Sequence, residues 1–236
     1  MKKYILSACA VIISGLVIAQ KTINDPNAVT RNVSSFHAIE IEDGIDLYLT
    51  QGNEALAVSA INEEVRNKIT TKVEDGILKI YCSRPGITLD RGNKKMKVYV
   101  SFKTLDNLHA SGGSDVYADE GISAPQLTIH LSGGSDFRGK VKSNKLQMEA
   151  SGGSDIYVSG TAVSLTINAS GGSDFHGYDL IADNCEVNAS GGSDVNITCN
   201  KELNVNASGG SDVYYKGNGS IKNMNSGGSS SVKKVS

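Results

Sequence analysis

The stretch Ser111-Gly112-Gly113-Ser114-Asp115 decides the fold, because the chain repeats it. Five more full copies begin at Ser132, Ser151, Ser170, Ser190 and Ser208, and a degenerate copy, Ser-Gly-Gly-Ser-Ser, begins at Ser226. Successive copies start 21, 19, 19, 20, 18 and 18 residues apart. A pentapeptide that recurs at a nearly constant period is typical of repeat proteins, in which each repeat forms one structural unit that stacks on the last.

The residues between the copies alternate between apolar and polar, which is the pattern of a strand with one buried face. The residue after each aspartate is always apolar: Val116, Phe137, Ile156, Phe175, Val195 and Val213. A second apolar alternation precedes the next copy, as in Leu146, Met148 and Ala150, and Cys185 stands where other repeats have leucine. Each coil is therefore expected to hold two short strands and two turns.

Stacked coils of this kind place equivalent strands side by side, about 4.8 Å apart. Parallel crossovers are almost always right-handed. The sequence therefore predicts an all-β fold, a right-handed parallel β-solenoid (β-helix) with about 19 residues per coil. From Ile221 onward the apolar alternation is lost and lysines appear, which favours a terminal cap that does not invite another strand.

Before the repeats, residues 35–110 alternate in the same way without the pentapeptide. Ile45, Leu47 and Leu49 face one side of a predicted strand, and Glu74-Asp75-Gly76 is typical of a hairpin turn. Residues 85–93 are predicted to form a loop. The segment is expected to be a β-rich head that covers one end of the solenoid and continues its sheets.

The first residues carry the features of an export signal. Lys2 and Lys3 precede an apolar run that ends in the small residue Ala19. Residues 1–19 are therefore predicted to be a signal peptide, and residues 20–34, which are polar and patternless, a flexible lead-in. The expected location is the periplasm, the outer-membrane surface or the extracellular space, with no transmembrane segment once the signal is removed.

Charge and cysteine content narrow the classes of partner. The chain has 23 Lys and Arg against 25 Asp and Glu, a weakly acidic balance that argues against a nucleic-acid partner. Cys82, Cys185 and Cys199 lie at no spacing typical of a metal site. Each is predicted to be a small buried side chain, although export would also permit a Cys185–Cys199 disulfide.

Three further motifs resemble those of a known family. They are Phe36-x-x-Ile39-x-Ile41, Gly44-Ile45-Asp46-Leu47-Tyr48-Leu49-Thr50-Gln51-Gly52 and Asp75-Gly76-Ile77-Leu78-Lys79-Ile80. Together with the pentapeptide repeats, they are similar to the head GIN domain family of "putative auto-transporter adhesins", a domain of unknown function. The resemblance implies an exported, β-rich, solenoid-like protein with a role in adhesion, and it supplies no catalytic residues.

One folded domain is therefore expected after the signal peptide and the lead-in. This head GIN-type domain would span residues 35–236, with the β-rich head at 35–110 and the repeat solenoid at 111–236.

Six aspartates fall at one position of successive coils and are the main candidates for a binding role: Asp115, Asp136, Asp155, Asp174, Asp194 and Asp212. Their parity is opposite to that of the buried residues, which places them outside. Stacked charges repel by on the order of 1 kcal/mol per neighbour in water, so something must offset them. One interpretation is hydrogen bonding to turn backbone, and the other is a row of carboxylates that binds Ca²⁺. No other cofactor is expected.

Two residues beyond each aspartate lies a second outward column: Tyr117, Arg138, Tyr157, His176, Asn196 and Tyr214. Tyrosines beside carboxylates suit glycan recognition, because rings can stack on a pyranose face while oxygens accept hydroxyl protons. Tyr117, Tyr157 and Tyr214 are therefore candidate ligand-binding residues, together with the six aspartates. The alternative is that these tyrosines serve only cross-strand packing.

Other polar residues give weaker indications. The sequence contains no HExxH, Gly-x-Ser-x-Gly or phosphate-loop motif. Its histidines are scattered, and His109 and His130 are expected to be separate surface residues. Asn168, Asn188 and Asn206 are expected to form an amide ladder that stabilises stacked coils.

The sequence thus favours an exported, non-enzymatic binding protein, adhesin-like, whose ligand is a glycan or another envelope component. Two alternatives stay open. One is a structural scaffold of the cell envelope without a specific ligand, and the other is a polysaccharide-active enzyme.

Overall fold

The computed structural model describes residues 17–18, 21–83 and 95–236. The predicted signal peptide, residues 1–19, lies outside the described residues except for a two-residue strand. The predicted loop at residues 85–93 lies wholly outside them.

The described part of the chain before the repeats forms short strands and one helical turn. In chain order these are β1 (Val17–Ile18), β2 (Lys21–Thr22), β3 (Val29–Arg31), β4 (Ala38–Ile41), β5 (Asp46–Gln51), β6 (Ala55–Ser59), α1 (Glu63–Arg66), β7 (Ile69–Glu74), β8 (Ile77–Cys82), β9 (Lys97–Phe102) and β10 (Asn107–Ala110).

The repeats form long strands followed by shorter ones. They are β11 (Val116–Leu131), β12 (Phe137–Ala150), β13 (Ile156–Ala169), β14 (Phe175–Ala189), β15 (Asp194–Ala207), β16 (Asp212–Lys216), β17 (Ser220–Ser226) and β18 (Ser231–Lys234).

Consecutive long strands pair in parallel, so that equivalent residues of successive repeats lie side by side. Ile129 on β11 pairs with Met148 on β12, which pairs with Ile167 on β13. The solenoid makes about seven turns, roughly 19 residues apart. The predicted parallel β-solenoid is confirmed.

The coils differ from the expected two strands each, because most coils are one continuous strand, of 16 residues in β11 and 14 in β12. Buried side chains of β12 alternate from Phe137 to Ser143 and resume one step out of phase at Leu146. The strand therefore bends there and keeps its apolar side chains on the inside. Because β12 and β13 bend at the same place, their hydrogen-bonded register continues through the bend.

The interior is built from these stacked apolar columns. The residue after each aspartate is fully buried, as predicted: Val116, Phe137, Ile156, Phe175, Val195 and Val213. Burying one such side chain contributes roughly 1.5–3 kcal/mol. Since each one stacks on its equivalent in the next coil, hydrophobic burial holds the coils together along the whole solenoid.

The cysteines belong to this interior. Cys82, Cys185 and Cys199 are buried free thiols, so the structure contains thiols rather than the Cys185–Cys199 disulfide that the sequence left open. Cys185 pairs with Leu165 and Leu203, which confirms that it replaces a core leucine. A hydrogen bond with Cys199, together with burial, raises the pKa of the Cys185 thiol.

The head continues both halves of the coils, as expected: β4 and β10 extend the half that precedes a corner, and β5 extends the half that follows one. Strand β4 pairs in parallel with β10, and β5 pairs in parallel with β11. The turn between β4 and β5 stacks under the first pentapeptide, where Ile45 N donates to Ser114 Oγ at 3.2 Å. Strands β8 and β9 pair in parallel with β4 and β5 and extend the sheets by one more layer.

Antiparallel strands end the parallel stacking beyond this layer. Strand β7 pairs antiparallel with β8, β6 with β9, and β3 with β6. Strand β3 lies in the segment that the sequence assigns to a flexible lead-in. Arg31 holds this strand in place, because its guanidinium donates to Ile69 O at 2.6 Å and to Arg66 O at 3.1 Å. A strand of three residues is too short to show a pattern from which these contacts could be predicted.

At the other end, β17 pairs with β15 and β18 with β16. Every residue of β17 is exposed, including Met224 at 52%. The loss of apolar alternation from Ile221 onward therefore corresponds to a strand without a buried face.

No helix in the described ranges is long and apolar enough to cross a membrane.

Two adjacent glycines test the stacking of the pentapeptides. Gly191 has φ +76°, and a Cβ there would lie 3.0 Å from Gly171 N, whereas Gly192 is outside the left-handed region with no atom within 4 Å of its Cβ position. Gly191→Ala should therefore lower the free energy of unfolding by about 1–2 kcal/mol or more, and Gly192→Ala should change it little. Urea unfolding midpoints of the two variants measure the difference. Equal effects would contradict the close approach of the corners.

Candidate functional site

The repeated pentapeptides form the corners of the solenoid, and the second serine of each is fully buried: Ser114, Ser135, Ser154, Ser173, Ser193 and Ser211. These serines form a ladder. Ser114 N donates to Ser135 Oγ at 3.0 Å, and Ser135 N donates to Ser154 Oγ at 3.1 Å. The ladder continues through Ser173 to Ser193. Buried corner N–H groups thereby find acceptors on the side chains of the next coil.

The six predicted aspartates lie in one half-buried column beside this serine ladder. Asp155 N donates to Asp136 Oδ1, and Asp174 N donates to Asp155 Oδ1, both at 3.1 Å. The same bond joins Asp115 to Asp136 at 3.3 Å and Asp174 to Asp194 at 3.2 Å. The aspartate bonds run in the opposite direction to the serine bonds, because here the later coil donates.

The local charges of the column are only partly offset. Burial is the main cause that raises the pKa of Asp136, and the neighbouring Asp115 and Asp155 add to it. Arg138 acts against this, with its Nη2 3.2 Å from Asp136 Oδ2. At the far end, Ser231 Oγ and Tyr214 Oη donate to Asp212, and these bonds lower the pKa of that carboxyl.

Within the ranges that the structure describes, no group of three or more His, Cys, Asp or Glu side chains is arranged to hold a metal ion. One oxygen of each of Asp115, Asp136, Asp155 and Asp174 already accepts a backbone N–H. These bonds are the backbone hydrogen bonding of the first interpretation.

The outward aromatic column is longer than the sequence indicated. Tyr48 stacks on Tyr117 at 5.0 Å between ring centroids and on Tyr99 at 5.1 Å. Tyr48 and Tyr99 were missed as members of this column. Tyr48 could have been found from the sequence, since Asp46-Leu47-Tyr48 has the same order as Asp115-Val116-Tyr117 in the first repeat. Tyr99 pairs directly with Tyr48.

The rings in this column cover one another. Tyr99 and Tyr117 cover both faces of Tyr48. Farther along, the Arg138 guanidinium lies 4.8 Å from the Tyr157 ring centroid, and His176 stacks on Tyr157 at 4.5 Å. A pyranose therefore has no free ring face at Tyr48 or Tyr157. The column instead presents ring edges and hydroxyl groups to solvent.

The three stacked tyrosines Tyr48, Tyr99 and Tyr117 line a cavity of about 340 Å³. Asp119 and Glu120 lie on its rim, and the lead-in contributes Ile23 and Asn24. This cavity brings together aromatic edges, hydroxyls and carboxylates, which is the combination that orients a small polar ligand.

The hydroxyls of this cavity are held in their protonated form. Burial, followed by the charge of Asp46, raises the pKa of Tyr48 to about 12. Burial and a hydrogen bond with Asp25 raise the pKa of Tyr99, whose Oη donates to Asp25 Oδ2 at 2.9 Å. That bond also ties the lead-in to the edge of the cavity.

The strand before each corner carries another polar column. His109 and His130, expected to be separate, stack at 4.8 Å because β10 and β11 pair them directly. His130 Nδ1 lies 2.9 Å from Glu149 Oε2. Both histidines lie two residues before a pentapeptide, at Ser111 and Ser132, so the spacing already places them in one column and the expectation of separate residues was wrong.

The predicted amide ladder follows in the same column and is confirmed. Asn188 Nδ2 donates to Asn168 Oδ1 at 3.0 Å, and Asn206 Nδ2 donates to Asn188 Oδ1 at 2.9 Å. It extends beyond the predicted members, since Asn225 Nδ2 donates to Asn206 Oδ1 at 2.9 Å.

Comparison with known proteins gives a family and a fold. A family model described as "Putative auto-transporter adhesin, head GIN domain" matches residues 35–219. No curated protein matches the chain.

Several solved structures share the fold. A "putative adhesin" from Bacteroides fragilis NCTC 9343 has a TM-score of 0.80 at 21% identity, over 89% of this chain and 98% of that chain. A "putative adhesin" from Parabacteroides merdae ATCC 43184 has a TM-score of 0.70 at 17% identity, over 89% and 95%. A "putative lipid binding protein" from Parabacteroides distasonis ATCC 8503 has a TM-score of 0.64 at 19% identity, over 90% and 98%.

Two substitutions at Asp155 distinguish hydrogen bonding from charge. Asp155→Ala removes the acceptor of the Asp174 N–H and should lower the free energy of unfolding by about 1–2 kcal/mol. Asp155→Asn keeps a side-chain oxygen and relieves repulsion, so its stability should stay within about 0.5 kcal/mol of wild type. Urea unfolding with and without Ca²⁺ measures both. A Ca²⁺-dependent rise in stability that both substitutions abolish would favour the cation row instead.

Proposed function

Because this chain belongs to the head GIN domain family of "putative auto-transporter adhesins", we propose that it is an exported, non-enzymatic binding protein that recognises a glycan or another envelope component. The aromatic column of β5, β9 and β11–β16 is the proposed contact surface. Family and solved neighbours bear names of adhesins or binding proteins rather than enzymes, which supports a binding role.

The single observation that carries this proposal is the cavity at Tyr48, Tyr99 and Tyr117. Its stacked rings are rigid, so a ligand orders few side chains when it binds. The protonated phenols of Tyr48 and Tyr117 offer hydroxyl donors, and Asp119 offers acceptors, as sugar hydroxyls require. The ligand contact runs through ring edges and hydroxyls, since both faces of the central ring, Tyr48, are already covered.

The residues predicted from the sequence take different parts in this proposal. Tyr117, Tyr157 and Tyr214 contact the ligand with their edges and hydroxyls. The aspartate column holds the corners in place, and in this proposal its second carboxylate oxygens contribute further acceptors.

A scaffold without a specific ligand is the second candidate, and one observation favours it. Within the serine, aspartate and asparagine ladders, side chains accept hydrogen bonds from the equivalent residues of an adjacent coil. Stacking of the coils is a sufficient reason for these bonds. Such a protein would bind nothing on a glycan array, whereas the binding protein proposed above would bind a defined group of glycans.

Phenylalanine substitutions test the hydroxyls without removing the rings. Combined Tyr48→Phe and Tyr117→Phe keeps the stack and should weaken binding of an array-identified glycan by about tenfold, since two hydroxyl bonds are lost. Titration calorimetry measures the affinity. Tyr178→Phe is the matched control, because Tyr178 is an outward tyrosine under Lys216 and outside the column. An unchanged affinity in the double variant, or an array without any binding, contradicts the proposal.

A further inference from the structure

The opposite face of the solenoid carries a second groove, along the amide ladder. Asn168, Asn188, Asn206 and Asn225 line it, and rim serines such as Ser190 border it at the corners. Its volume is about 720 Å³. The corner pentapeptides separate this amide groove from the aromatic column, and the two surfaces share no residue.

Each ladder amide has unused hydrogen-bonding capacity. A side-chain amide has two N–H donors and a carbonyl oxygen with two lone pairs. The ladder uses one donor and one lone pair at Asn188 and at Asn206. In the described chain, one donor and one acceptor per coil thus remain for the groove, repeated at the coil spacing of about 4.8 Å.

The distance between ladder amides of successive coils determines which kind of linear polymer can bind along the groove. An extended peptide advances about 3.3 Å per residue, so side chains on one face recur about every 6.6 Å and fall out of step with the coils. Each unit of a β-1,4-linked pyranose chain advances the chain by close to one coil. Successive units are turned over, so like groups face the groove every second unit, which is close to two coils. The hydroxyls of each unit are both donors and acceptors, as the spare groups of each amide are.

The absence of charged side chains in the described lining of the groove favours an uncharged polysaccharide. None of the described residues that line it is Lys, Arg, Asp or Glu, and its walls combine amides, serine hydroxyls and the exposed side chain of Met224. An acidic or basic polymer would find no opposite charge there to offset its desolvation.

We propose that the amide groove binds a neutral, linear, β-linked polysaccharide lying along the solenoid axis, with about one sugar unit per coil. The ladder then has two roles: it holds the stacked coils together, and its successive amides bind successive sugar units of the polymer. This site is independent of the aromatic column, so either surface can bind or fail without the other.

Length dependence is the first test. Titration calorimetry of the purified chain compares cellobiose, chitobiose and xylobiose with cellohexaose, chitohexaose and xylohexaose, and it includes polygalacturonate as the acidic polymer. At least one neutral hexasaccharide should bind, and more tightly than its disaccharide by about tenfold or more, because it spans more coils. Absence of binding to all three hexasaccharides, or binding of polygalacturonate alone, overturns the proposal.

Matched variants locate the site. Ser190→Lys places a long side chain on the rim of the groove, and Ser132→Lys makes the same change at an equivalent corner outside it. Ser190→Lys should weaken hexasaccharide binding by about tenfold or more, and Ser132→Lys should leave it unchanged. Equal affinities of the two variants overturn the proposal.

A second pair guards against a folding defect. Asn206 is exposed and lines the groove, whereas Asn204, two residues earlier on β15, has its own ladder bond to Asn223 outside it. Asn206→Ala should weaken binding and Asn204→Ala should not, at similar melting temperatures. Hexasaccharide binding that the Tyr48→Phe and Tyr117→Phe variant loses belongs to the aromatic column, and the binding that remains in this variant is the part that Asn206→Ala should weaken.

Discussion

The corner is the constraint on which the rest of the structure depends. A chain that turns sharply exposes backbone N–H groups that no neighbouring strand can reach, and burying them unpaired costs about 1–3 kcal/mol each. Here serine and aspartate side chains of the adjacent coils accept them, with the serine bonds pointing up the solenoid and the aspartate bonds pointing down. Each corner is thus complete only when another corner lies above and below it. This mutual dependence explains why the pentapeptide repeats as a unit.

The same ladders decide which side chains remain for recognition. Aspartates that accept backbone N–H groups have less capacity for a cation, and the rings of Tyr48 and Tyr157, which are covered on both sides, have no face for a sugar ring. What the surface still offers are hydroxyls, ring edges, the second oxygens of carboxylates and the spare groups of amides. The adhesin name of the family is compatible with such a surface, since weak contacts repeated along a rod add up when the ligand is a polymer.

Much of the fold could be predicted because two periods coincide in the sequence. The apolar residues at Val116 and its equivalents alternate every second residue, and the pentapeptide fixes the coil length. The aspartate column also followed from spacing. Its hydrogen bonds did not, because spacing places a side chain on a face without saying which atom it reaches.

The head was harder to interpret. Its corner, Glu42-Asp43-Gly44-Ile45, keeps one glycine and no serine, although Asp43 still accepts a backbone bond from Cys82 N at 2.9 Å. Tyr99 was missed because only three-dimensional register brings it into its column, whereas the shared offset of His109 and His130 from their pentapeptides was present in the sequence.

Hydrogen exchange of the corner amides tests the mutual dependence of the corners most directly. The N–H groups of Asp136, Asp155 and Asp174, which bond to the preceding aspartate, should exchange as slowly as strand amides such as that of Ile156. Exchange of these corner amides at the rate of exposed loops, with the strands still protected, would contradict it.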